Sequence, residues 1–220
     1  MHADRINAPA AVEVAIAAGG VTLAGDLTLP ENGVGTIVFA HGSGSSRRSP
    51  RNRDVARALN GAALATLLFD LLTPEEGMDR ANVFDIPLLG DRLVAATRWL
   101  RERDETASRP IGYFGASTGA AAALVAAADL GEDVGAVVSR GGRPDLAGDR
   151  LAEVTAPSLL IVGGEDRDVL ALNRQAQARL RCESDLLVVP DATHLFEEPG
   201  ALEAVARSAT GWFLRHLVEA

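Results

Sequence analysis

Gly115-Ala116-Ser117-Thr118-Gly119 sets a serine between glycines two places to either side. Small residues at those places let a strand run into a helix through a sharp turn that carries the hydroxyl at its tip. The residues before it, 111–114, read Ile-Gly-Tyr-Phe, and an alanine-rich stretch leaves straight after. A serine held this way can attack an acyl carbon once a base takes its proton. A plain strand-to-helix turn with Ser117 as helix cap would give the same five letters, so the partners have to decide.

Only four histidines are available as base: His2, His41, His194 and His216. An imidazole titrates near neutrality, as a general base should. His2 lies at the terminus, His216 falls in the last helical stretch, and His41 ends a strand. His194 sits in a loop, Asp191-Ala192-Thr193-His194, between the last apolar run and the last helical stretch, which makes it the expected base. The orienting acid should follow a strand late in the order serine, acid, histidine. Gly163-Gly164-Glu165-Asp166-Arg167-Asp168-Val169 supplies three carboxylates there. Asp168 directly precedes a helical run and reads as its cap, leaving Asp166 as the expected acid, with Glu165 and Asp168 as alternatives.

Acyl transfer also requires backbone N–H groups aimed at the developing oxyanion. Thr118, next after the serine, offers one, and the turn His41-Gly42-Ser43-Gly44 offers the N–H of Ser43. His41 is expected to orient that loop. Just beyond it Arg47, Arg48, Arg51 and Arg53 cluster in an acidic chain, two of them in the first turn of a helix, where positive charge opposes the dipole. Arg140 adds a cation at the C-terminal end of a strand. Pairing with Asp54, Glu75 and Glu76 would make these arginines structural; otherwise Arg47, Arg48 and Arg140 could hold an anionic substrate group through a guanidinium fork.

These groups need a frame. Runs rich in Val, Ile and Leu alternate with longer segments of helical spacing, the pattern of an α/β fold with a mostly parallel sheet covered by helices. About eight strands are expected. Residues 12–16 and 21–29 meet through Gly19-Gly20, too short a link for a helix, so they should form an antiparallel hairpin. Further strands are expected at 36–40, 65–70, 111–114, 134–139, 158–162 and 186–189, and helices at 50–60, 85–101, 118–130, 169–181 and 201–217. No repeat or linker interrupts the chain, so residues 1–220 read as one domain.

Composition removes whole classes. All 21 basic residues are arginine, which excludes a Schiff-base lysine and the lysine of a phosphate-gripping P-loop. A formal net charge of −9 with 4% aromatics disfavours nucleic acid as a partner. The longest apolar run, 120–128, is too short to span a membrane, and the opening residues show no signal-peptide core, so a cytoplasmic location is expected. The single Cys182 permits neither an internal disulfide nor a cysteine metal cage, and no histidine pair has metal-ligand spacing. A dinucleotide site beginning at Gly42-Ser43-Gly44 fails because Arg47 stands where a third glycine belongs. No cofactor is expected, and the expected partner is a small-molecule substrate.

HGSG at 41–44, GASTG at 115–119, GGEDRDV at 163–169 and PDATHLFEEPG at 190–200 together resemble the α/β-hydrolase superfamily and, within it, the small dienelactone-hydrolase-like proteins. The resemblance covers essentially the full length. It implies the α/β-hydrolase fold and a serine hydrolase acting on a carboxylic ester, thioester or lactone, with Ser117, His194 and Asp166 as triad. Dienelactone hydrolases carry cysteine at the elbow where this chain has Ser117, so lactone specificity does not transfer. Fewer than 20 residues separate the sixth and seventh strands, where larger members insert a lid, so no lid domain is expected. The alternative is a non-catalytic ligand-binding protein of the same fold.

Overall fold

The structure, a computed structural model, describes residues 9–218; His2 and the opening segment expected to lack a signal-peptide core lie outside the described residues. Eight strands form one sheet: β1 Ala11–Ala18, β2 Val21–Thr28, β3 Gly35–Ala40, β4 Leu64–Phe69, β5 Ile111–Ala116, β6 Ala136–Arg140, β7 Ser158–Gly163 and β8 Ser184–Val189, in the order β1-β2-β4-β3-β5-β6-β7-β8. β1 and β2 pair as an antiparallel hairpin in which Gly19 and Gly20 take the positive φ values its turn requires. β2 also pairs antiparallel with β4, and from β4 through β3 to β8 every pairing is parallel.

Helices α1 Pro50–Gly61, α2 Arg80–Val83, α3 Ile86–Arg101, α4 Thr118–Leu130, α5 Arg167–Gln177 and α6 Ala201–Leu217 connect and cover the strands. Alternation along the strands divides the core. Val38, Tyr113, Val137 and Leu160 face a cluster built with Leu89 and Leu93 of α3, the alanines of α4 and Ala176 of α5. Their neighbours Ile37, Phe114, Val138 and Ile161 face Val55 and Leu59 of α1 and Val205, Trp212 and Phe213 of α6. A strand buried on both faces has no polar side to show, and each fully buried aliphatic or aromatic side chain stabilises the fold by about 1.5–3 kcal/mol.

Most boundaries lie within two residues of the expected ones, and α4 and α6 match at both ends. The exceptions have local causes. α5 begins at Arg167 instead of 169 because Asp166, not Asp168, occupies its N-cap position, and it ends at Gln177, four residues before the expected 181, where Arg179 N–H bonds back to the Ala176 carbonyl in a tight turn. Short helical turns at Glu76–Met78, Arg80–Val83 and Pro144–Glu153 were not legible, being too brief for a periodic signal. Pro144–Glu153 bridges β6 and β7, so no lid is inserted there.

Candidate active site

The parallel strands end along one sheet edge, where the loops carrying the chemistry converge. β5 runs into α4 through Ser117, whose φ of 50° and ψ of −123° place a non-glycine residue in a sparsely populated region. Such a conformation costs on the order of 1–3 kcal/mol and persists only where its surroundings enforce it. Here the Ser117 N–H donates to the Arg140 carbonyl at 3.3 Å, and the Ser117 carbonyl accepts from Arg143 N at 3.0 Å. The flanking glycines are required by contact. A Cβ on Gly119 would stand 2.2 Å from the Ala40 carbonyl oxygen, and one on Gly115 2.4 Å from Ala120 Cα.

His194 comes from the loop after β8. Its Nδ1 lies 2.6 Å from Asp166 Oδ2 at the end of β7. Asp166 sits at the N-cap of α5 yet makes no capping hydrogen bond, because its carboxylate turns to the imidazole instead. Asp168, expected to cap the helix, is an exposed residue of the first turn, and Glu165 is exposed beside Arg167. Gly163 makes the approach possible, since a Cβ there would meet the Ala192 carbonyl oxygen at 2.3 Å. With Nδ1 donating to Asp166, Nε2 is left as the basic nitrogen. Ser117 and His194 line one cavity of about 240 Å³, and the Ser117 hydroxyl makes no side-chain hydrogen bond to a described residue.

The loop after β3 forms the opposite wall. Ser43 N–H donates to Thr118 Oγ1 at 2.9 Å, which ties the two expected oxyanion donors together next to Ser117. Gly42 allows the closeness: a Cβ there would lie 2.9 Å from Ser117 Cβ. His41 is the anchor of this loop. Its Nε2 accepts from Leu71 N–H at 3.1 Å, so Nδ1 carries the hydrogen and donates to the Gly42 carbonyl at 3.0 Å. Burial pushes the His41 pKa below its ordinary value against smaller opposing effects from Gly42 and Asp70, keeping the ring neutral.

The three arginines singled out in the sequence part company. Arg47 is not free for a ligand: its guanidinium reaches Asp70 at 2.6 Å, Asp26 at 3.4 Å and Glu13 at 3.1 Å, and its N–H donates to Asp70 Oδ1. It pins the loop after β3 to β2 and the end of β4. Arg48 is exposed and does not line the cavity. Arg140 is buried and lines the cavity together with Ser117 and His194. Arg51 of the same cluster also lines the cavity, and one further cavity residue escaped sequence reasoning: the buried Asn52, whose Oδ1 accepts from Arg140 Nη2 at 3.4 Å. Its signal was weak. Asn52 shares the apolar face of α1 with Val55, Ala56 and Leu59, and a polar residue there invites a search for its partner.

A serine at a strained elbow and an aspartate-bound histidine on one cavity form an arrangement found in many hydrolases, so family membership rests on wider similarity. The model of the dienelactone hydrolase family matches residues 77–216. A solved dienelactone hydrolase from Anabaena variabilis is 54% identical, covers 96% of this chain and 100% of its own, and superposes with a TM-score of 0.93. The chain belongs to the dienelactone hydrolase family. A lidless α/β serine hydrolase from Xanthomonas campestris shares the fold at 21% identity and a TM-score of 0.77, over 95% of this chain and 96% of that one. Two curated Mycobacterium tuberculosis proteins, provisionally named phosphoribosyl transferases, are each 65% identical over 205 residues, or 93% of this chain. The chain spans about half the length of these relatives, 46%.

Proposed function

We propose that this member of the dienelactone hydrolase family hydrolyses carboxylic esters, thioesters or lactones through an acyl-serine intermediate. The observation that carries the reading is the 2.6 Å contact between His194 Nδ1 and Asp166 Oδ2 in the cleft that also holds Ser117. In this reading Ser117 Oγ attacks the carbonyl carbon while His194 Nε2 takes its proton. Asp166 fixes the imidazole tautomer and stabilises the imidazolium. The N–H groups of Thr118 and Ser43 receive the oxyanion, Ser43 exchanging its Thr118 Oγ1 partner for it. His194 then protonates the departing group, and water, activated by the same nitrogen, releases the acid.

A serine hydroxyl attacks only with a base to take its proton, and His194, which lines the same cavity, supports that role. The transferase name of the M. tuberculosis relatives describes proteins more than twice this length, and acyl hydrolysis is the reading offered for the unit seen here. Labelling with a neutral fluorophosphonate tests it. Wild type should label at Ser117 and turn over a short-chain 4-nitrophenyl ester, and Ser117→Ala should lose both, with turnover falling on the order of 10⁴-fold. No labelling and no turnover by wild type across esters and thioesters would replace this reading with a ligand-binding protein of the same fold.

A further inference from the structure

Arg140 carries an unmet charge beside the nucleophile. Its guanidinium is buried, its Nη2 reaches only the Asn52 amide oxygen at 3.4 Å, and its Nε and Nη1 are buried with no partner among the described residues. The Phe196 ring, 6.0 Å away, is a weak second neighbour. Proteins rarely leave a buried cation without an anion, because its hydration is lost and nothing replaces it. Arg51, also on the cavity wall, adds a second positive charge, and its own carboxylate partner, Glu197, is exposed. Burial and the Arg51 charge pull the Arg140 pKa down to about 10, which still leaves it charged at neutral pH.

A second cavity of about 350 Å³ shares Gly42, Ser43 and Ser45 with the first and is lined also by Leu71, Leu72, Met78, Val83, Leu89 and Thr118. No arginine lines it, and its one carboxylate, Asp70, is held by Arg47. Its apolar lining suits an acyl chain. The loop common to both cavities packs against Ser117, so a carbonyl there adjoins the apolar cavity as well as Arg140.

The chemistry decides which half of a substrate goes where. The leaving-group oxygen or sulfur must lie against His194, the group that protonates it, and His194 lines only the Arg140 cavity of the two. The acyl substituent then extends past the oxyanion loop. Resting on the acyl-serine reading above, we infer that the substrate joins an apolar acyl group to an alcohol or thiol bearing a carboxylate or phosphate. The acyl–O or acyl–S bond breaks as the acyl–Ser117 Oγ bond forms, and the Ser117 proton passes through His194 to the leaving atom. Water then cleaves the acyl-serine, giving a fatty acid and the anionic alcohol or thiol.

Matched phenyl esters test the assignment on wild type. With butanoyl as the acyl group, 4-hydroxybenzoate and 4-hydroxyphenyl phosphate serve as anionic leaving groups and 4-hydroxybenzamide as the neutral one, each corrected for its hydroxide-catalysed rate. At low salt kcat/KM should favour one or both anionic esters by about tenfold or more, and added salt should shrink the margin. Which anion wins separates a carboxylate from a phosphate ligand. Moving the charge to the acyl half, as in 4-nitrophenyl hemisuccinate against the butanoate, should lower kcat/KM. The anionic-to-neutral ratio should fall toward one in Arg140→Gln and fall partway in the more exposed Arg51→Gln. Val83→Phe should shift the preferred acyl chain to shorter lengths. Equal rates for anionic and neutral leaving groups, or a preference for the hemisuccinate, overturns the inference while Ser117 labelling and neutral turnover leave the hydrolase reading standing. Absent labelling and turnover of every ester would remove both.

Discussion

Replacing Asp166 with asparagine isolates what the carboxylate does, because the side chain keeps its shape and its place at the start of α5. The carboxylate is 16% exposed and sits 2.6 Å from His194 Nδ1. When the imidazole takes the Ser117 proton, the two charge centres lie about 4 Å apart, and with an effective dielectric of about 20 their attraction is about 4 kcal/mol. The 40% exposure of the His194 side chain is why a near-surface dielectric applies rather than a deep-interior one. At about 1.4 kcal/mol per decade this amounts to roughly 10³ in rate. An amide also offers Nδ1 a donor, favouring the tautomer with its hydrogen on Nε2, where it cannot accept from Ser117, so the loss should approach 10⁴. Steady-state hydrolysis of a neutral 4-nitrophenyl ester measures kcat/KM, and a thermal melt run beside it confirms an intact fold. Asp168→Asn is the paired control; its exposed side chain at the helix start contributes a few tenths of a kcal/mol through the dipole, so activity should change less than twofold. An Asp166→Asn enzyme within tenfold of wild type, or an inactive Asp168→Asn enzyme, would refute the assignment of the orienting acid.

Gly119→Ala would push a methyl against the Ala40 carbonyl oxygen, a backbone atom that cannot step aside; a loss of about 3 kcal/mol, lowering Tm by about 6–12 °C, should appear in calorimetry. Arg47→Gln would leave the partly buried Asp70 without its cation and Asp26 with Arg53 alone; denaturant titration should show a loss of about 1–3 kcal/mol, while the ratio of anionic to neutral ester turnover stays as in wild type. His41 has a folded-state pKa below its ordinary 6.5, so the unfolded chain binds the proton first on acidification. Its contribution is therefore complete above pH about 6.5 and is lost as pH falls toward the folded-state value. Melts between pH 8 and 5 should show that loss in wild type and a flatter profile in His41→Gln.

The sequence by itself determined whatever depends on neighbours along the chain. Gly19-Gly20 leaves no length for anything but a hairpin, apolar runs with no polar face belong inside a parallel sheet, and the alanines after Ser117 can pack closely against strands. Those signals are local, and the hairpin, the strand-to-helix elbow and the full extents of α4 and α6 were legible from them. The tertiary structure decided what depends on residues far apart in sequence. Asp166 and Asp168 differ by two places in one loop, but only the reach of His194, 28 residues later, makes Asp166 its partner and leaves Asp168 in the helix. Arg47 and Arg140 are both arginines that follow or end strands of the parallel sheet, Arg47 in the loop after β3 and Arg140 at the end of β6. Asp26 and Asp70 close on the first from β2 and the end of β4, while the second is walled in by Asn52 of α1 and Phe196 of the histidine loop with no carboxylate on it. A charged side chain's role is set by what lies within a few ångströms of it, and chain spacing does not encode that distance until the sheet order β2-β4-β3-β5-β6 brings the loops together.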